Sequence, residues 1–503
     1  MSVIGHVDRL LGKLYENDLK HGIITEDEAV SFLEIWLSIQ DIRCDSKVSS
    51  WADISCTLEL GGCDQNGVTV FNRVTELVAS VHERLNLINP KLNCRISEDS
   101  PEEYLHLISA SLLRSHNVIA LLNDDTIIPA LISSGKELRD ARLYVNGGCQ
   151  ETIVEGSEHS AGVMFYFNLP LVLDLSLNKT RRKNLPDAIE KALPTVIESA
   201  MDFEDFYNQY FTNMKRALSY AADIRRPFGE QWHKTHPSPA FSATLAGCIE
   251  SGKDYTAGGA KYNNGTACCI GFATLSDSLL AIKRAVFEDK IITLSELRRA
   301  LAADFTGYET LRARLVAYPK FGHGDDEADE LAARVFDDLN RFTATLDNER
   351  GGKYVFSTFT FSHHMVAAPY VGATPDGRLK GEPLSQSTGP SRVRPVTELT
   401  DAIRAQSKLP LDKSAGISVL DVMLPSSSSL SVEKLATTLR AFCAYGGQTL
   451  QPNRVTRERM IEAKNNPDQH RDLIVRVCGL SVYFVNLSEE NKNDMIARNM
   501  YVN

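Results

Sequence analysis

The chain has no run of about 18 apolar residues, so no segment reads as a helix that crosses a bilayer. It also lacks a basic excess. Lys and Arg total 54 against 65 Asp and Glu, and the net charge of −11 argues against nucleic acid or an anionic membrane as a partner. The ten cysteines form no Cys-x-x-Cys pair and show no zinc-ligand spacing. Ten thiols scattered through 503 residues do not make a disulfide scaffold, and they read as reduced groups in a cytosol. The opening MSVIGHVDRLLGKLYENDLKHG is mixed in charge and helical in period, without a signal-peptide core, so the expected compartment is the cytoplasm. No internal repeat and no low-complexity segment is present. What remains is an ordinary soluble composition in a chain long enough for one large barrel or for two or three domains.

Residues 4–45 read as two helices, the second opened by Thr25 as N-cap with Glu28 three residues on. Helical period returns in NGVTVFNRVTELVASVHERL and in the capped SPEEYLHLISASLLRS, with a strand-like LNCRIS between them. DARLYVNGGCQETIVEG runs a strand into a Gly-rich loop, and SDSLLAIKRAVFEDK and TLSELRRALAADF are capped helices. This alternation favours α/β layers or a barrel. From about residue 345 the texture changes. HHMVAAPYVGATPDGRLKGEPLSQSTGPS is Gly/Pro/Ser-rich and barely periodic, the mark of a functional loop or a domain connection. The last unit ends in DLIVRVCGLSVYFVNL, where Gly479 interrupts a run of β-formers, and in the helix SEENKNDMIARNM. The residues alone suggest a tight bend at Gly479, where two backbones approach closely.

Four stretches in collinear order, NGGCQE (146–151), GGAKYNNG (258–265), GATPDGRLKGEPLS (372–385) and RVCGLSVYFVNLS (476–488), resemble the glycyl radical enzymes, the superfamily of pyruvate formate-lyase and the radical diol dehydratases. LELGGCDQNG, LNDDTIIPAL and FVNLSEENKNDMIARN extend the resemblance from about residue 60 to the end. It implies an α/β fold: a barrel, ten-stranded in the family and built of two antiparallel five-stranded halves, surrounded by helices, with a C-terminal glycine-radical domain. On this basis residues 1–375 are expected to form the barrel region that carries the thiyl-cysteine loop, and residues 376–503 the glycine-radical domain.

The resemblance assigns three residues. Gly479 would store the radical: without a Cβ, only glycine lets an α-carbon radical lie flat between two peptide groups. Cys149 would pass a hydrogen atom to Gly479 and then, as a thiyl, abstract one from substrate. Glu151, two residues on, would serve as general acid or base on a substrate hydroxyl or leaving group. No bound cofactor is implied; a separate radical-SAM activating enzyme would install the radical on Gly479. Glu151 beside Cys149 is similar to the eliminating enzymes. The expectation is therefore a lyase that removes a heteroatom group from a small oxygenated substrate. Radical decarboxylation, formate acyltransferase-like chemistry and a non-catalytic or half-enzyme subunit are the alternatives.

Other residues are read more plainly. Cys268–Cys269 and Cys478 are expected to be packing residues, and His363–His364 satisfied loop histidines. The residue after Gly479 is Leu480, where the family usually has an aromatic. Diol dehydratases place an acid where this chain has Val163; Glu155, Glu158 and His159 could substitute for it or face solvent. Only 148 residues precede Cys149, against some hundreds in the family, so the first half of the barrel is expected to be absent or severely shortened. An open half-barrel would expose edges and apolar faces. That predicts a homo- or hetero-oligomer, with a partner chain that could supply the other half.

Overall fold

Polar and apolar residues alternate along CTLELG and KLNCRI, yet both strands are buried on both faces. The polar residues of a buried sheet face must be answered by something that packs on it. The computed structural model describes residues 2–42, 56–159, 164–178, 195–396, 398–425, 430–498 and 501. The chain forms two units, residues 1–161 with 411–503, and residues 162–410.

The first unit opens with strand β1 (Ser2–His6), where the sequence reads as helix, and continues through helices α1 (Val7–Lys20) and α2 (Glu26–Ile42). Thr25 caps α2 as expected: its amide donates to Glu28 Oε2 at 2.9 Å, and the Glu28 amide donates to Thr25 Oγ1 at 3.3 Å. Strand β2 (Cys56–Gly61), helix α3 (Arg73–Arg84), strand β3 (Lys91–Ile96), helix α4 (Glu102–Leu113) and strand β4 (Ile119–Asn123) follow. Strands β1 to β4 are parallel neighbours, which requires long connections, and helices supply them. The short strands β5 (Tyr144–Asn146) and β6 (Thr152–Val154) then form an antiparallel hairpin around residues 147–151.

The second unit holds a three-stranded parallel sheet of β7 (Met164–Asn168), β8 (Gly265–Ile270) and β9 (Tyr354–Ser357), in that order. Cys268 and Cys269 are buried in β8. His364 is buried with its Nδ1 3.2 Å from the Phe361 carbonyl oxygen, and His363 stacks on Tyr166 at 3.6 Å. Much of the long stretch from 372 to 396 is without helix or strand, as its composition suggests.

Residues 411–503 return to the first unit. Strands β10 (Val419–Met423) and β11 (Thr449–Asn453) complete a six-stranded sheet of order β1-β2-β3-β4-β11-β10, antiparallel only at β4–β11. β12 (Ile474–Val477) and β13 (Leu480–Tyr483) form a second hairpin. One sheet face carries Cys56, Leu58 and Leu60 of β2 with Leu92, Cys94 and Ile96 of β3. The other carries Thr57 and Glu59, then Lys91, Asn93 and Arg95, then Thr449, Gln451 and Asn453, with Asp421 opposite Gln451. Several apolar side chains of α1 and α2 stay exposed, among them Leu10, Leu14, Phe32 and Ile35. Among the described residues no helix is long and apolar enough to cross a membrane.

The loop between α4 and β4 anchors the second hairpin. Asn117 Nδ2 donates to the Ile474 carbonyl (2.9 Å), and the Arg454 amide donates to Asn117 Oδ1 (2.8 Å). Next to it, buried His116 Nε2 lies 2.9 Å from His82 Nδ1, while His82 Nε2 lies 2.8 Å from the Pro90 carbonyl oxygen. Both rings fit neutral imidazoles: His82 donates from Nε2 to the Pro90 carbonyl, which leaves its Nδ1 unprotonated, to accept from His116 Nε2. Burial pushes His82 down to about 3 and His116 to about 4. An unfolded chain binds these protons below about pH 6.5. Stability is therefore fully present above that pH and lost as pH falls from about 6.5 to 3. The melting temperature is expected to fall over this window and to fall less steeply in His82→Leu, as thermal denaturation across pH would measure.

Candidate active site

Two hairpin tips meet over the polar face of the sheet. The first is Gly147–Glu151, closed by the Gly147 amide donating to the Glu151 carbonyl at 2.6 Å. The second is the two-residue turn Cys478–Gly479, since Val477 pairs with Leu480. With φ of +53° and +80°, this turn matches type I′, whose twist suits a two-residue hairpin and normally demands Asn, Asp or Gly. Glycine at the second position meets the backbone demand, and a second demand is steric. A Cβ on Gly479 would lie 2.6 Å from the Cys149 carbonyl oxygen and 2.8 Å from both its carbonyl carbon and its Cβ. The bend read from the sequence is thus a close approach to Cys149.

Polar residues of the sheet hold the two tips. The Asn146 amide donates to Glu59 Oε1 (2.9 Å), which also accepts from Asn93 Nδ2 (3.1 Å). Burial pushes the Glu59 carboxyl up to about 7. Lys91 Nζ donates to the carbonyls of Gly148 (2.6 Å) and Cys149 (3.4 Å). Gln451 Oε1 accepts from Gln150 Nε2 of the first tip (2.7 Å) and from Arg476 Nε of the second hairpin (3.2 Å), so one side chain links both. Asn453 and Arg476 exchange two hydrogen bonds: the Arg476 amide donates to Asn453 Oδ1 (2.6 Å), and Asn453 Nδ2 donates to the Arg476 carbonyl (2.8 Å). Arg476 is fully buried, which lowers its guanidinium to about 10, and its Nη1 donates to the Val118 carbonyl (2.7 Å). None of Glu59, Lys91, Asn117, Gln451 or Asn453 was singled out from the sequence. For all but Asn117, which lies in a loop, the available signal was the i, i+2 spacing of polar residues in strands short enough to be fully covered.

Cys149 is only partly buried as a residue, yet burial of its thiol is the main reason its pKa is pushed up to about 12. The Glu151 carboxylate adds to the rise, while Lys91 and Arg476 oppose it. Glu151 Oε2 accepts from the Gln150 amide at 3.1 Å. At such a value the sulfur stays S–H near neutral pH and makes a poor thiolate nucleophile. At pH 8 an ordinary thiol, with a pKa of about 8.5, is roughly one-quarter ionised, and a thiol near 12 about one part in 10,000. Iodoacetamide is expected to modify Cys149 about 1,000-fold more slowly than free cysteine. The rate should rise about tenfold per pH unit up to pH 10, and peptide-resolved alkylation would expose a plateau near pH 9 if this is wrong.

The other acids near the first tip are engaged. Glu155 Oε2 accepts from Arg9 Nη2 (2.7 Å) and lies 3.3 Å from His6 Nδ1, and Glu158 pairs with Lys136 in a buried ion pair. Val163 lies outside the described residues. Cys478 is buried. Among the described residues no group of three or more His, Cys, Asp or Glu could hold a metal ion.

Comparison with known proteins matches residues 1–368 to the family described as pyruvate formate lyase-like and residues 385–485 to the one described as glycine radical. Trans-4-hydroxy-L-proline dehydratase of Clostridioides difficile is 30% identical over 511 residues, covering 98% of this chain and 64% of that protein. Isethionate sulfite-lyase of Oleidesulfovibrio alaskensis is 28% identical, covering 99% and 62%. The crystal structure of hydroxyproline dehydratase from Clostridioides difficile, with trans-4-hydroxy-L-proline bound, matches with a TM-score of 0.87 at 28% identity, over 99% of this chain and 64% of that one. A glycyl radical enzyme from Archaeoglobus fulgidus, at 24% identity and a TM-score of 0.87, covers 99% and 65% and shares the fold. The chain thus spans less than two thirds of the length of these relatives.

Proposed function

The chain belongs to the pyruvate formate lyase-like family, and from that premise we propose that it is a glycyl radical lyase of the dehydratase type, acting on a small oxygenated substrate. The observation that carries the reading is the approach of Gly479 to Cys149, too close for any side chain at residue 479. Gly479, one hydrogen short at Cα, takes a hydrogen atom from Cys149 Sγ and leaves a thiyl. The thiyl takes a hydrogen atom from the hydroxyl-bearing carbon of the substrate and becomes a thiol again. Glu151 accepts the proton of that hydroxyl, and the heteroatom group on the neighbouring carbon departs with its bonding pair and collects the proton. The product radical recovers a hydrogen atom from Cys149, and the thiyl recovers one from Gly479. Hydrogen atoms, protons and the unpaired electron all balance.

Relatives named as dehydratases and sulfite-lyases support elimination, and the high thiol pKa supports hydrogen-atom transfer over nucleophilic acyl transfer. The proposed partners are a radical-SAM activase, which removes the first hydrogen atom from Gly479, and a second polypeptide chain. The exposed apolar side chains of α1 and α2 support the second. The test is electron-spin resonance on protein activated under anaerobic conditions. A doublet, split by one α-hydrogen, is expected and should decline when oxygen is admitted; a folded, activase-treated protein without it would overturn the reading.

A further inference from the structure

A lysine ammonium inside a protein is costly unless its donors are used. Lys91, the first residue of β3, is 1% exposed, and its Nζ reaches the consecutive carbonyls of Gly148 and Cys149 at 2.6 and 3.4 Å. The second of these carbonyl oxygens is also the atom nearest to where a Cβ of Gly479 would stand, at 2.6 Å. One oxygen is therefore both an acceptor for Lys91 and the point at which the two tips touch.

We propose that Lys91 is a positioning residue that fixes the Cys149–Gly479 distance by holding the Gly148 and Cys149 carbonyls; this rests on the assignment of Gly479 and Cys149 made above. Two carbonyls on one ammonium restrain two successive peptide planes, and with them the direction of the Cys149 side chain. Released, the loop could rotate its carbonyl away from the hairpin and carry the sulfur with it. A misplacement of about 1 Å costs roughly 100-fold in a step that depends on alignment. Charge around the ammonium fits the role. Cys149 and Glu151 in the loop, and more weakly Glu59 on β2, favour its protonated form, and Arg476 on β12 opposes it. Burial outweighs them and lowers the group to about 8. Lys91 is anchored in the sheet and not in either hairpin, so it sets the loop against a fixed frame.

The step can be followed without substrate. The Cys149 S–H exchanges with solvent, so in D2O each reversible transfer returns deuterium to Gly479 and collapses the doublet toward a singlet. In Lys91→Met the doublet is expected to form while its collapse slows by about tenfold or more. Lys91→Gln, which keeps an N–H donor without the charge, should collapse within about threefold of wild type. Collapse at the wild-type rate in Lys91→Met, or equal slowing in Lys91→Gln, would overturn the proposal. No doublet in wild type, or collapse that continues in Cys149→Ala, would instead fault the Gly479 and Cys149 assignment. Amide exchange on folded, radical-free protein decides the matter for a variant that resists activation. Residues 147–151 should exchange at least about tenfold faster in Lys91→Met than in wild type, and unchanged exchange there would likewise overturn it.

Discussion

Gly479→Ala is expected to abolish the electron-spin doublet and to lower turnover by at least about 1,000-fold, equivalent to roughly 4 kcal/mol of barrier. Three effects act together. The alanine Cβ would stand 2.6 Å from the Cys149 carbonyl oxygen, so either the hairpin tip or the thiol loop must withdraw. The φ of +80° is a region that alanine enters at a cost of about 1–2 kcal/mol. An α-carbon radical on alanine also cannot flatten between its peptide groups without steric clash. The first two effects should appear as a stability loss of about 2–4 kcal/mol in denaturant unfolding, and the third only in the spin signal. Wild-type protein exposed briefly to air after activation should be cleaved near residue 479, and the alanine variant should stay whole. A doublet that persists in the variant would place the radical elsewhere.

Cys149→Ser should have a comparably large effect on turnover and little on the radical. Serine fills nearly the same space between Lys91 and Gly479, so the loop keeps its hydrogen bonds and activation proceeds. The hydroxyl O–H is a far poorer hydrogen-atom donor than the S–H, and turnover should fall by at least about 1,000-fold. The doublet should then form at the wild-type level and no longer collapse in D2O. Full activity in Cys149→Ser, with loss in Cys268→Ser, would move the chemistry to the buried pair in β8 and favour acyl transfer.

The residues that meet at the two tips were legible because they sit in short motifs whose chemistry restricts the residue type. Alone, a glycine among β-formers reads as a bend and a cysteine in a glycine-rich loop as an inert thiol; the collinear resemblance is what marked them. The residues that hold them were not legible. Lys91 reads as a charged strand end, which is ordinarily exposed, and only the fold reveals that the hairpins cover it. Gln451 and Asn453 lie in a strand the sequence did not signal, and they bond to Gln150 and Arg476. Pattern gives which residues share a face; it does not give what lies on that face. The strand β1 was missed because five residues of SVIGH merge into a helical period, and its pairing with β2 is a tertiary choice. Glu155 and Glu158 could have faced a substrate on spacing alone, but Arg9, His6 and Lys136 already engage them.

The division of the first unit between residues 1–161 and 411–503 has a consequence for synthesis on the ribosome. The Cys149 loop emerges about 330 residues before Gly479. At roughly 5–20 residues per second, that is a wait of about 15–65 s. The second unit is continuous in sequence and can fold as it emerges. Strands β1 to β4 cannot complete their sheet until β10 and β11 arrive, and the first hairpin, which already offers Glu59 and Lys91 the Asn146 amide and the Gly148 and Cys149 carbonyls, lacks Gln451 and the second hairpin that seat its tip. During that interval the unpaired edge of β4 and its apolar face are exposed, which is where a nascent-chain chaperone would be needed most.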